Sequence, residues 1–190
     1  MAPPSANVPQ PGPLDYLKLL PTTGYALSCM AYTAITRPLS SHAKPVDLFR
    51  DTIYTAMRAF LANINTVQEQ WSQSTTEAEY LTWAKKQRDF QPDTEELESG
   101  LRVHWIGPRG AKYVLLFFHG GGFNVTANAG HFIWLRDLQQ DASKHVSISV
   151  AIPSYTLAPR AHYPTQLRQA AESLNWLMTK HGKSPANVRL

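Results

Sequence analysis

The feature that most constrains this chain is His119-Gly-Gly-Gly-Phe123, set directly after the apolar run Tyr113-Val-Leu-Leu-Phe-Phe118. A short apolar and aromatic run that ends in glycines suits a strand covered on both faces. The glycines at its end expose successive backbone N–H groups with no side chains in the way. Such groups can converge on one oxygen, which is what a tetrahedral oxyanion requires. A plain Gly-rich turn between strand and helix is the simpler alternative. A phosphate cradle fits less well, because the spacing matches neither G-x-G-x-x-G nor a P-loop, and no Lys-Ser/Thr pair follows.

The flanking segments read as an α/β sheet. Leu101–Ile106 alternates as a strand does, and Gly107–Gly110 is a turn. From His131 to Lys144 the pattern is helical, with Leu135, Leu138 and Ala142 on one side. Val146–Ile152 is a second strand, and Leu167, Ala170, Leu174 and Leu177 mark a helix ended near His181-Gly182. Asn187–Leu190 begins a further strand. This order predicts a doubly wound, mostly parallel sheet. The right-handed crossover rule pairs Tyr113–Phe118 with Val146–Ile152 in parallel. It also puts Gly120–Gly122 at the carboxyl end of the first strand.

The first half is different in texture. Five of the 14 prolines fall within residues 1–13, which predicts a flexible tail. Residues 14–99 read as a helical region ahead of the α/β part at 100–190. Between Lys44 and Trp71, the residues Val46, Phe49, Ile53, Met57, Phe60 and Ile64 share one helical face. A helix packed on the main domain is the expectation, with a membrane-surface or lid helix as its alternative. The run Tyr25–Ile35 is too short to span a bilayer, and no positive charge precedes Lys18 as a secretory signal needs. Thr76 and Glu79 have capping-box spacing, predicting a helix from Thr76 to about Arg88. Pro92 and the acidic run Asp93–Glu98 interrupt it.

Composition narrows the classes. A 43% hydrophobic and 17% charged chain of 190 residues is of globular type. A net charge of +4 without a Lys/Arg block argues against a nucleic-acid partner. The single cysteine, Cys29, rules out an internal disulfide framework and a Cys-based zinc site, and favours a reducing compartment such as the cytoplasm. None of the seven histidines falls in a metal-binding spacing. His104 lies in a strand, and His131, His145, His162 and His181 lie at helix or loop ends, all read as surface or structural. Asn124-Val-Thr126 formally fits a glycosylation sequon, but a glycan there would block the glycine loop.

A second motif, Tyr155-Thr-Leu-Ala-Pro159 followed by Tyr163-Pro164, comes after the next strand. The two motifs in this order resemble the hormone-sensitive-lipase-like branch of the α/β-hydrolases over roughly Leu101–Leu190. The helical N-terminal part resembles the cap-forming region of such enzymes, most like fungal members. The resemblance implies an α/β-hydrolase fold, in which the strand from Asn187 covers the edge of Tyr113–Phe118. It also implies a carboxylic-ester hydrolase working by Ser-His-Asp acyl transfer on a small-molecule or secondary-metabolite ester, with no cofactor. It implies that the N–H groups of Gly121 and Gly122 line an oxyanion hole. His119 then braces the loop rather than acting as a base, Gly120 supports it, and Phe123 flanks the acyl pocket. No G-x-S-x-G occurs in the sequence. By resemblance the serine is expected about four residues beyond Leu190, followed by the Asp and His. No catalytic residue is therefore assigned within the chain, which is read as an N-terminal half truncated before the nucleophile elbow and inactive alone. The alternatives are a non-catalytic member holding a ligand carboxylate in the same pocket, and an inactive truncated product.

Overall fold

The computed structural model describes residues 12–39, 47–65, 68–69 and 74–190. They form two compact units, one within residues 9–72 and one within 73–190. Residues 1–11 of the tail expected at 1–13, and Val46 of the expected apolar stripe, lie outside the described residues.

The first unit holds α1 (Pro13–Leu39) and α2 (Leu48–Leu61), which pack on each other. Pro13 is the first residue of α1 rather than the end of a tail, a position where the missing N–H costs nothing. Asp47 caps α2 by accepting from the Arg50 N–H, and Arg37 on α1 pairs with Asp51 on α2 at 2.9 Å. The apolar stripe read along 44–71 is only partly a buried face. Helix α2 stops at Leu61, and none of its residues is buried. Ile53 and Phe60 are half-buried, while Phe49 and Met57 are exposed.

The second unit is a five-stranded sheet with helices on both faces. Its strands are β1 (Asp93–Glu96), β2 (Arg102–Ile106), β3 (Tyr113–Leu116), β4 (Ile148–Pro153) and β5 (Val188–Arg189), in the spatial order β1-β2-β4-β3-β5. The helices are α3 (Thr76–Lys85), α4 (Ala129–Ala142) and α5 (Thr165–Thr179). Strands β4, β3 and β5 are parallel, with Leu115 opposite Val150 and Val114 opposite Val188. The β3–β4 pair is the one expected from the crossover rule, and the cover that β5 gives to β3 is the one the family resemblance implies. Strands β1 and β2 add an antiparallel side, making the sheet mixed.

Strand alternation sorts the core into two layers. Val103, Trp105, Val114, Leu116 and Ala151 pack with Trp176 and Leu177 of α5 on one face. On the other face Ile106, Val150 and Ile152 meet Tyr80, Trp83 and Ala84 of α3, and Phe132 and Leu135 of α4. Helix α3 and strand β1 thus belong with the sheet rather than with a helical N-terminal region.

Two local expectations are corrected. The acidic run from Asp93 does not only break a helix: its first four residues form the edge strand β1. Arg109 pairs with both Asp93 and Glu95, Lys180 lies 2.5 Å from Glu95, and Arg102 lies 3.0 Å from Glu96. A charged edge of this kind also resists pairing with other chains. The second correction concerns the start of α3, where the cap is Thr75, accepting from Ala78 N–H at 3.1 Å, and not Thr76. Glu79 is engaged by the Ser74 hydroxyl. Thr76, one residue on, is buried.

Candidate functional site

The site grows from the carboxyl end of β3. The ladder of β3 ends at Leu116, and one further bond, Phe117 N–H to the Ala151 carbonyl at 2.9 Å, carries the chain to His119. Beyond it the backbone enters the left-handed region: φ is +117° at Gly121, +60° at Gly122 and +61° at Phe123. A Cβ on Gly121 would lie 2.7 Å from the Val125 Cβ and 2.9 Å from its carbonyl oxygen, so this position is closed to any side chain. Nothing lies near where a Cβ on Gly120 or Gly122 would sit. The Gly121 carbonyl accepts from the N–H groups of Asn124 and Val125, which folds the loop back into a tight turn before α4. The three glycines are exposed, and their N–H groups make no bond to another described residue.

The two motifs of the sequence meet here. Tyr155 donates its hydroxyl to the His119 carbonyl at 2.6 Å, and its ring stacks on the His119 ring at 4.5 Å. The Ala158 N–H donates to the Phe123 carbonyl at 2.7 Å. Phe123 stands edge-on to Tyr155, and its side chain is largely exposed. Phe123 holds a conformation that costs a non-glycine residue about 1–3 kcal/mol, and the Ala158 bond and the Tyr155 contact hold it there.

His119 is buried and fully engaged. Its Nδ1 lies 3.0 Å from the Gly120 carbonyl and 3.1 Å from the Tyr155 hydroxyl, and its Nε2 lies 3.0 Å from Thr76 Oγ1. Burial lowers its pKa below the ordinary histidine value, against the opposing pull of the Gly120 carbonyl. A neutral ring with both nitrogens committed to the protein suits a brace. Burial also pushes the Tyr155 hydroxyl up to about 12, so it stays protonated and able to donate. Thr76 is the site residue that sequence reasoning placed wrongly: it is spent on His119 and on Thr126 Oγ1 at 2.9 Å. The signal was the Thr75-Thr76 pair, in which one threonine caps and its neighbour turns inward.

Three of the other described histidines have structural partners. His104 is buried with Nδ1 2.9 Å from Thr94 Oγ1 and Nε2 2.7 Å from Ser154 Oγ, a serine contact that the sequence reading did not foresee. Burial pushes His104 down to about 4, which makes it a weak base for activating that serine. His131 accepts from the Asn128 N–H in a capping box at α4. His181 sits between Trp105 and Trp176, 3.2 Å from Glu95. No group of three or more His, Cys, Asp or Glu poised for a metal occurs among the described residues. No helix among them is long and apolar enough to cross a membrane. The sequon threonine, Thr126, is buried against Thr76.

Residues 115–189 match a protein family described as alpha/beta hydrolase fold. No curated protein matches the chain. Among solved structures, a hyperthermophilic esterase from the archaeon Pyrobaculum calidifontis is similar at 19% identity, with a TM-score of 0.51 over 76% of this chain and 48% of that one. An esterase from the bacterial hormone-sensitive lipase family aligns at 21% identity and a TM-score of 0.44, over 65% of this chain and 43% of that one. A carboxyl esterase of the mycorrhizal fungus Tuber melanosporum aligns at 24% identity and a TM-score of 0.40, over 54% of this chain and 35% of that one. The chain spans less than half the length of each of these structures. Residues from β2 to β5 have the α/β-hydrolase fold, with the glycine loop at the carboxyl end of a parallel strand.

Proposed function

We propose that this chain supplies the oxyanion-binding part of a carboxylic-ester hydrolase. The observation that carries this reading is the row of exposed glycine N–H groups at the end of β3, free of partners among the described residues, with Gly121 and Gly122 held in left-handed backbone. Donors preset in this way need no rearrangement when charge develops on a carbonyl oxygen. In the proposed reaction a serine attacks the ester carbonyl, and Gly121 and Gly122 donate to the oxygen of the tetrahedral intermediate. An acyl-enzyme forms as the alcohol leaves, and water then releases the acid. His119 and Gly120 brace the loop, and the exposed ring of Phe123 flanks the acyl group. The substrate is a small-molecule ester, with the resemblance to fungal esterases favouring one of secondary metabolism.

The 190 residues contain no G-x-S-x-G, so the serine of this mechanism is not among them. The test compares residues 1–190 with a version continued through a G-x-S-x-G elbow and the Asp and His, both on a short-chain p-nitrophenyl ester. The longer protein should turn over the ester and be silenced by a serine-directed phosphonate, and residues 1–190 should do neither. Phosphonate-sensitive turnover by residues 1–190 would overturn this assignment.

A further inference from the structure

The bonds around His119 can be satisfied in only one direction. A tyrosine hydroxyl has one proton, and Tyr155 spends it on the His119 carbonyl at 2.6 Å, an atom that can only accept. Toward His119 Nδ1, at 3.1 Å, Tyr155 must therefore accept. The Gly120 carbonyl, 3.0 Å from the same nitrogen, can also only accept. Both contacts require the proton on Nδ1. In the neutral ring Nε2 is then an acceptor, and Thr76, 3.0 Å away, must donate to it. With the Thr76 proton used, Thr126 donates to Thr76 at 2.9 Å, and the Ala127 N–H approaches the same oxygen at 3.5 Å. The chain runs from Thr126 through Thr76 and the imidazole to the Gly120 carbonyl.

The end of that chain matters for the loop. The Gly120 carbonyl and the Gly121 N–H belong to one planar trans peptide and point in opposite directions. Tying the carbonyl inward to His119 turns the Gly121 N–H away from the buried side. With the tautomer of His119 set by the Gly120 carbonyl and Tyr155, we infer that Thr76 anchors the ring from Nε2 and through it the tilt of the Gly120–Gly121 peptide, and so is a positioning residue for the Gly121 donor. This rests on the oxyanion reading of the loop. The tautomer it requires, Nδ1–H, is set by bonds alone, and the neighbouring His131 ring, 6.4 Å away, makes no bond to it.

The experiment is long-range ¹⁵N spectroscopy of the histidine rings in the 190-residue chain, alongside Thr76→Val, Thr76→Ser and Tyr155→Phe. In the unaltered protein His119 should show a protonated, pyrrole-type Nδ1 and a bare, pyridine-type Nε2 shifted by an accepted hydrogen bond. Thr76→Val should abolish that shift and move the Gly121 amide resonance, and Thr76→Ser should restore both. Tyr155→Phe should keep Nδ1 protonated, because the Gly120 carbonyl still holds it. An Nε2–H ring in the unaltered protein would overturn the inference, whether or not Thr76→Val folds. So would a Thr76→Val protein whose ring and Gly121 signals stay in place, or a Tyr155→Phe protein that switches tautomer. The ring signals need no substrate, so absent ester turnover in the continued protein would count against the oxyanion reading alone.

Discussion

The two units show how different the support behind two helical patterns can be. In α1 and α2 only Thr22 and Ala26 are buried, and Leu14, Leu17, Leu20, Tyr32 and Ile35 on α1 are exposed. In the sheet unit Tyr80, Trp105, Phe132, Leu135 and Leu177 are almost wholly buried, each layered between strand and helix. Helical periodicity is visible in both, yet it sets only which residues share a face. What that face buries is decided by the elements around it. The glycine loop stands on the well-buried unit, on a strand paired along both edges, and that support suits a site whose donors must hold their direction.

The largest expected effect lies in that core. Trp105→Ala should cost about 3–5 kcal/mol of unfolding free energy, and Phe49→Ala on α2 less than about 0.5 kcal/mol, measured by denaturant unfolding. Equal losses would erase the contrast between the units.

Acid should act next, through His104. Burial has lowered its pKa from 6.5 to about 4, so the unfolded chain takes up a proton first as pH falls. Its contribution is fully present above pH 6.5 and is lost between there and about 4, roughly 3 kcal/mol over that window. Unfolding midpoints followed from pH 7 to 4 should fall accordingly, and His104→Gln should flatten the slope. Glu95 adds a loss at lower pH. Burial disfavours its charge, but Lys180, His181 and Arg109 together hold its carboxyl below the usual range.

Within the loop the glycines should rank. Gly121→Ala places a methyl against the Val125 backbone at positive φ and should cost about 1–3 kcal/mol or more. Gly122→Ala has open space and pays only for its φ of +60°, about 1–2 kcal/mol. Gly120→Ala, with neither burden, should be close to neutral. Thermal unfolding of the three variants checks the order, and a benign Gly121→Ala would show the close approach to be unimportant.

Much of the sheet unit was legible in the sequence because its signals are local. The apolar run of β3, the glycine triplet and the turn residues around β4 carry their own meaning, as does the order in which they occur. What was not legible depends on partners distant in the chain. Asp93–Glu96 looks like a solvated break until Arg109 and Lys180 neutralise it, and neither spacing is helical or strand-like. Thr75 and Thr76 are equally good caps by composition, and only the placement of His119 beneath α3 separates them. The pairing of His104 with Ser154 joins a residue of β2 to the one that follows β4, through a register that the sequence does not display.

In the proposed reaction the glycine N–H groups offer themselves to an oxyanion. Titrating the ¹⁵N-labelled chain with acetate, as a carboxylate stand-in, and following backbone amides tests this directly. The Gly121 and Gly122 resonances should move downfield together and saturate on one binding curve, and Gly121→Ala should weaken that curve. Amides that stay in place at the glycine loop while others on the surface respond would contradict it.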